Sequence, residues 1–420
     1  MDHFSLLTVT LAFCAFALVG QRVTRSVLTA PMLFSAFGFA VGPSLLGWVR
    51  IDLSNAALHT LAEITLVLVL FSDAARIDLR QLRRDHDLPV RMLLVGVPLS
   101  LVLGAGAALL LFPNFGIWEA ALLAAILVPT DAALGQAVVE NPAVPARVRM
   151  ALGIESGLND GIVLPLVLLF AALASVSGET GDHAFWALFA GKQIVLGPLA
   201  GIAVGIAGAR LLERFLAAGW MKEGAEGVFA LALAFTAFAL AEAIGGNGFI
   251  SAFVGGLAFG NTLGRRCRFL YEFEETEARI LVMLTFAAFG AVMVPVAQAH
   301  LSLACVVYSL FALTVMRMAP VALSLLGTGI KPVTGVFLGW FGPRGLASVL
   351  FVLLVVKEYE LVHETELLAA VVLTVVLSIV LHGVSATPAA RAYGRQVARA
   401  GECEEIRAVS ETPFAEPGPG

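Results

Sequence analysis

The chain has 420 residues, of which 59% are hydrophobic and only 14% charged, with a formal charge of −5 and a mean hydropathy of +0.91. A soluble globular protein carries about 25% charged residues, so this chain lacks the polar surface to fold in water and is expected to reside in a membrane. The acidic balance and the scattering of basic residues among short segments argue against a nucleic-acid partner.

Apolar runs of about twenty residues can cross a hydrocarbon layer of about 30 Å as helices. In chain order they fall near residues 4–20, 28–48, 55–74, 90–112, 117–140 and 148–175. The second set lies near 188–212, 224–243, 246–262, 277–297, 300–326, 334–356 and 366–388. Run 300–326 contains Arg317 and Pro320, so it reads either as one span or as a span plus a re-entrant piece. The opening Met1-Asp2-His3 has no basic region, and no small-residue cleavage pattern follows, so 4–20 is read as a retained span rather than a signal peptide. Residues 1–390 form one membrane domain, and 391–420 a short polar, disordered tail. Cys14, Cys267, Cys305 and Cys403 show no metal-ligand or redox spacing and receive no role.

The basic residues test this count. Loops 1, 3, 5, 7, 9 and 11 with the tail hold 22 of the 26, from Arg22 and Arg25 through Arg265, Arg266 and Arg268 to Arg407. The alternate loops hold only Arg50, Lys192 and Lys357. The positive-inside rule then puts the N-terminus outside and the C-terminus in the cytoplasm. The setting is a bacterial or archaeal inner membrane, with lipid as a partner.

Two spans are interrupted: the fifth at Pro129-Thr130-Asp131 and the twelfth at Gly342-Pro343-Arg344-Gly345. Seven spans separate them, an odd offset, so the equivalent helices cross in opposite directions. Spans 1–6 (about 4–175) and 8–13 (about 224–388) can therefore form two inverted six-helix repeats, with span 7 as connector or, counted with it, 188–388. Paired interrupted helices are the sequence pointer to the central site of a transporter.

Charges inside a membrane cost several kcal/mol (about 3 on insertion scales) unless paired, hydrated or near a span end. Arg279 and Arg317 lie close enough to span ends to snorkel. Asp131, Glu155, Asp160 and Arg344 lie deeper, with Asp160 near the midpoint of its span. In span 6, Ser156 and Asp160 share one helix face, and Glu155 and Asn159 share another. At about 100° per residue the two carboxylates are rotated by about 140°. One site can use both faces only if helices 5 and 12 flank it.

Asp160 is therefore the expected cation- and proton-binding carboxylate. Asp131 supplies a second acidic group or shapes the field. Thr130, Ser156 and the backbone carbonyls freed by Pro129 offer oxygen ligands of the kind hard cations want. Asn159, neutral beside Asp160, favours one-for-one, electroneutral exchange. Glu155 and Arg344, about seven and ten residues into their spans, are the expected structural ion pair. Asp73 either lines a vestibule or pairs with Arg76 at a helix end. A carboxylate in a poorly hydrated cavity holds either a proton or a cation, and no covalent catalysis or resident cofactor is implied. Gly201, Gly205 and Gly208, with Gly255, Gly256 and Gly260, are spaced for close helix packing.

Pro129-Thr130-Asp131, Glu155-Ser156-Gly157-Leu158-Asn159-Asp160-Gly161 and Gly342-Pro343-Arg344-Gly345 resemble the cation:proton antiporter superfamily, specifically its sodium/proton exchanger branch with an Asn-Asp pair. The resemblance covers about 4–390. It implies an all-α polytopic membrane protein of about 13 transmembrane helices with crossed, discontinuous helices 5 and 12. It also implies a mobile core against a dimerisation domain, a homodimer, and Na⁺ (or Li⁺) ligation by Asp160, Ser156 and Thr130. The position after the span 5 aspartate, often proline in relatives, is Ala132 here. K⁺/H⁺ exchange is the near alternative. A symporter for an organic anion on a similar fold would need polar groups around a larger cavity than this small acidic cluster.

Overall fold

The computed structural model describes residues 3–24, 26–49, 53, 55–84, 86–175, 183–222, 225–263, 278–399 and 403–406. Arg25, Arg50, Arg265, Arg266, Arg268, Arg407 and Cys267 lie outside the described residues.

Among the described residues the chain is all helix, apart from turns and one isolated bridge between Ser175 and Leu361. It opens with α1 (His3–Thr24), α2 (Ala30–Val41), α3 (Ala56–Ala75) and the short α4 (Leu79–Arg84). One long span follows, made of α5 (Asp87–Arg91), a π-turn at Met92–Gly96 and α6 (Val97–Leu111). Next come α7 (Ile117–Leu127), α8 (Ala132–Val139), α9 (Ala146–Ala174), α10 (His183–Ala217), α11 (Ala225–Ala243) and α12 (Gly248–Leu263). A second π-turn, Phe289–Met293, joins α13 (Arg279–Ala288) to α14 (Val294–Ala299). The chain ends with α15 (Leu303–Leu313), α16 (Val315–Ser324), α17 (Pro332–Trp340), α18 (Leu346–Glu358) and α19 (Glu364–Arg399). Nine of the described helical segments are long and apolar enough to cross a membrane by length and composition, and three shorter apolar helices accompany them. The chain is a multi-pass membrane protein.

The interrupted runs behave as their sequences dictate. α7 stops at Leu127 and α8 restarts at Ala132, because Pro129 has no amide hydrogen to continue the ladder. α17 stops at Trp340 and α18 restarts at Leu346, across Phe341–Gly345. Both α7 and α18 are apolar all round and correspondingly enclosed: every residue from Glu119 to Leu127 and from Leu346 to Val355 is buried. α1, by contrast, is mostly exposed, as a lipid-facing helix should be.

Run 300–326 is one span with a kink. α15 and α16 meet at Thr314, whose backbone (φ −115°, ψ −90°) leaves the helical region and turns the second half inward. The last helix also runs past residue 391, the boundary read from the sequence, to Arg399. Beyond it, Cys403–Ile406 returns onto the bundle. Arg147 binds Glu404 at 2.8 Å, and Glu405 accepts from the Lys331 amide (2.7 Å) and the Thr334 hydroxyl (2.8 Å). Burial alone would raise the Glu405 carboxyl, but these hydrogen bonds outweigh it and hold the group below its usual value. This part of the tail therefore packs against the membrane domain. The end opposite the Glu404–Arg147 contact is tied by Glu119, which accepts from the Gly116 amide (3.1 Å) and the His363 amide (3.1 Å) and contacts the His363 ring at 2.9 Å.

The glycine spacing marks close helix crossings. A Cβ on Gly256 would stand 2.1 Å from the Phe71 carbonyl oxygen, and one on Gly260 would stand 1.9 Å from that of Ala75. Helices α12 and α3 therefore touch backbone to backbone, which only glycine permits here. Gly260→Val is expected to force them apart at a cost of about 1–3 kcal/mol, read as lower yield and an earlier thermal transition of the purified protein. Wild-type stability would show that the crossing is looser than this.

Candidate cation and proton site

The two breaks cross each other. The Asp131 amide donates to the Pro343 carbonyl (2.8 Å), and the Leu346 amide donates to Asp131 Oδ2 (2.6 Å). Asp131 Oδ1 accepts from the Leu134 amide at 3.3 Å. One carboxylate thus sits at the amino ends of both α8 and α18, where the partial positive charge of the helix dipole favours an anion. The approach is tight: a Cβ on Gly345 would lie 2.1 Å from Asp131 Oδ2.

Arg344 is 1% exposed, and its guanidinium donates to the carbonyl oxygens of Val128 (2.5 Å) and Pro129 (3.1 Å). Those are the carbonyls released by the break in the fifth span. A guanidinium has five donors and no acceptor, so it suits the negative carboxyl end of α7 and takes the oxygens that the sequence reading offered to a cation.

Glu155 has a different partner from the one expected. Both its oxygens accept from Arg317, at 2.7 Å each, in a bidentate pair whose members are 2% and 6% exposed at the side chain. The expected Glu155–Arg344 pair is corrected on this ground. Counting residues from the span ends gave Arg344 a matching depth but could not include the turn at Thr314, which carries Arg317 into the bundle instead of to the interface. Gly342 leaves room for it, since a Cβ there would stand 1.7 Å from Arg317 Nε.

Around the break, Thr130 gathers the polar residues of α9. Its hydroxyl shares a hydrogen bond with Ser156 Oγ (2.9 Å) and accepts from Asn159 Nδ2 (2.7 Å). The two polar faces of α9 therefore converge on one oxygen. Asp160 lies one turn beyond Ser156 and is also buried. Its Oδ1 and Asn159 Oδ1 are buried acceptors with no hydrogen-bond partner among the described residues. Buried polar atoms are satisfied in nearly all cases, so two orphaned oxygens on the helix that carries Ser156 and Asn159 to Thr130 fit a ligand that is itself positive. Asp73, half-buried at the end of α3, lies beside α9: its carbonyl is 3.8 Å from where a Cβ on Gly157 would be. Its charge, with those of Asp131, Glu155 and Arg344, bears on Asp160.

Sequence reasoning missed Arg317, Ser348, Ser378 and His382. Ser348 Oγ donates to the Ile126 carbonyl (2.7 Å), another oxygen at the end of α7. The signal for Arg317 was its position as the one charge in run 300–326; for Ser378 and His382 it was the four-residue spacing Thr374, Ser378, His382 on one face of a mainly apolar run.

The sodium proton antiporter MjNhaP1 from Methanocaldococcus jannaschii has the same fold, with a TM-score of 0.71 at 18% identity over 92% of this chain and 97% of that one. Na(+)/H(+) antiporter 2 of Zygosaccharomyces rouxii is 33% identical over 175 residues, 40% of this chain and 22% of that protein. The K(+)/H(+) antiporter NhaP2 of Shewanella oneidensis is 28% identical over 265 residues, 60% of this chain and 45% of that protein. The chain thus spans less than half the length of these curated relatives. The transmembrane sodium/hydrogen exchanger family matches residues 8–392, together with the broken-helix crossing just described, and the chain belongs to that family.

Proposed function

We propose that the chain is a secondary antiporter that exchanges a monovalent cation, Na⁺ or Li⁺, for H⁺ across a bacterial or archaeal inner membrane. The observation that carries this reading is the buried, unpartnered Oδ1 of Asp160, one turn along α9 from Ser156, whose hydroxyl is hydrogen-bonded to that of Thr130. A carboxylate so placed is neutralised either by a proton or by a cation that Thr130 and Ser156 help to ligate, and occupancy by one displaces the other. Hard alkali ions favour such oxygen shells. Asn159 orients the Thr130 hydroxyl and adds no charge, so one H⁺ leaves Asp160 for each cation that binds.

Asp131 acts as the anchor of the crossing rather than as a ligand, because backbone amides already engage both of its oxygens. Glu155 with Arg317 braces α9 against α16. Asp73 draws cations toward the inner mouth. The protein works as a homodimer by alternating access, with its N-terminus outside and its C-terminus in the cytoplasm.

The test is an imposed pH gradient, acid inside, in proteoliposomes of the full chain, challenged with NaCl, LiCl, KCl or choline chloride. Na⁺ and Li⁺ are expected to collapse the gradient, with a half-saturating concentration that rises as the medium is acidified. Imposed membrane potential should leave the rate unchanged. A response to K⁺ alone would reassign the cation, and a response to none of the three would overturn the antiport reading.

A further inference from the structure

The break between α17 and α18 is held by a buried relay on α19 that makes no hydrogen bond to Asp160 or Thr130 among the described residues. His382 Nε2 lies 2.9 Å from the Trp340 carbonyl oxygen, at the end of α17. A carbonyl only accepts, so Nε2 carries a hydrogen. Nδ1 faces both Ser378 Oγ (3.2 Å), which can donate to it, and the Ser378 carbonyl oxygen (3.0 Å), which can only accept, so in the neutral ring with its hydrogen on Nε2 the hydroxyl is the partner of Nδ1. Ser378 Oγ in turn accepts the Arg344 amide at 2.6 Å, at the far end of the break. The indole of Trp340 stacks on the imidazole, with centroids 5.0 Å apart and an interplanar angle of 28°, and its Nε1 donates to Ser385 Oγ (3.0 Å).

Both ends of the irregular stretch 341–345 are therefore fastened to one rigid helix. In a membrane no water is at hand to satisfy a loosened backbone group, so the stretch has little freedom to find another arrangement. Its position matters to the site because Arg344 reaches the Val128 and Pro129 carbonyls immediately before Thr130, and because Leu346 holds Asp131.

We propose that His382, acting through Ser378 and the Trp340 carbonyl, is a positioning residue for exchange: it fixes the crossing of the two breaks in the geometry that presents Thr130 and Asp160 to the cation. This rests on the antiport reading above. A positioning role predicts a change in apparent affinity, whereas a packing role would change yield alone.

The test uses proteoliposomes of the full chain, with half-saturating Na⁺ and maximal rate measured for His382→Leu, His382→Gln and Ser378→Ala. His382→Leu and Ser378→Ala should raise half-saturating Na⁺ about fivefold to tenfold, the effect of leaving one buried backbone partner unsatisfied. His382→Gln, whose amide N–H can still reach Trp340, should lie within about twofold of wild type. A folded His382→Leu protein with wild-type half-saturation overturns the proposal. So do equal defects in the Leu and Gln variants, which would leave only the shape of the ring. If His382→Leu does not fold, Ser378→Ala decides: raised half-saturation supports the relay and an unchanged value overturns it. A wild-type protein that answers no cation would instead bring down the exchange reading and this inference with it.

Discussion

Asp160→Asn protein is expected to reconstitute normally yet to leave an imposed pH gradient untouched when Na⁺ is added. The amide has the shape of the carboxylate but can neither carry a proton across nor attract a cation, so both halves of the exchange are lost together. The Na⁺-driven rate should therefore fall to the background of protein-free vesicles, because no other group at this position can alternate between a proton and a cation. Stability should move the other way or not at all, because the substitution takes a buried charge out of the bilayer. The measurement is therefore double: thermal stability and Na⁺-driven pH collapse on the same preparation. A full transport response from the Asn protein would place the exchange elsewhere in the molecule.

That site was visible in the sequence because a proline or glycine cluster beside a charge, inside an apolar run, has few explanations other than a broken helix. Pro129-Thr130-Asp131 and Gly342-Pro343-Arg344-Gly345 both read that way, and in the structure the two stretches cross. The depth of a residue along a helix can be counted. Its azimuth, and hence its partner, cannot be counted once the helix bends. Glu155 meets Arg317 because α16 turns at Thr314, and no residue there is a proline or glycine that would announce the turn. The π-turns at Met92–Gly96 and Phe289–Met293 each contain a glycine and are followed two residues on by Pro98 and Pro295, a pattern that marks an irregularity but not that each adds a residue to one turn and rotates everything after it. The fate of the carbonyls before Thr130 was illegible for a related reason. Whether freed oxygens face a cation or an arginine depends on how two helices meet, and that is a tertiary fact.

Arg317 and Arg344 then separate by experiment, since each arginine answers a different need. Arg317→Met leaves Glu155 buried with no counter-charge, which is expected to cost about 3–5 kcal/mol and to show as poor yield or an early thermal transition in detergent. Adding Glu155→Leu should recover most of that loss, because an apolar pair of similar volume carries no desolvation cost to offset. Arg344→Ala strips donors from the Val128 and Pro129 carbonyls, worth about 1–3 kcal/mol per buried group. Glu155→Leu should not rescue it, since Glu155 is not its partner. A double-mutant cycle across the four combinations measures the coupling directly. Strong coupling of Glu155 to Arg344, with none to Arg317, would mean that the kink at Thr314 does not carry the arginine to where it is described. The bracing of α9 would then have to come from the break in the twelfth span itself.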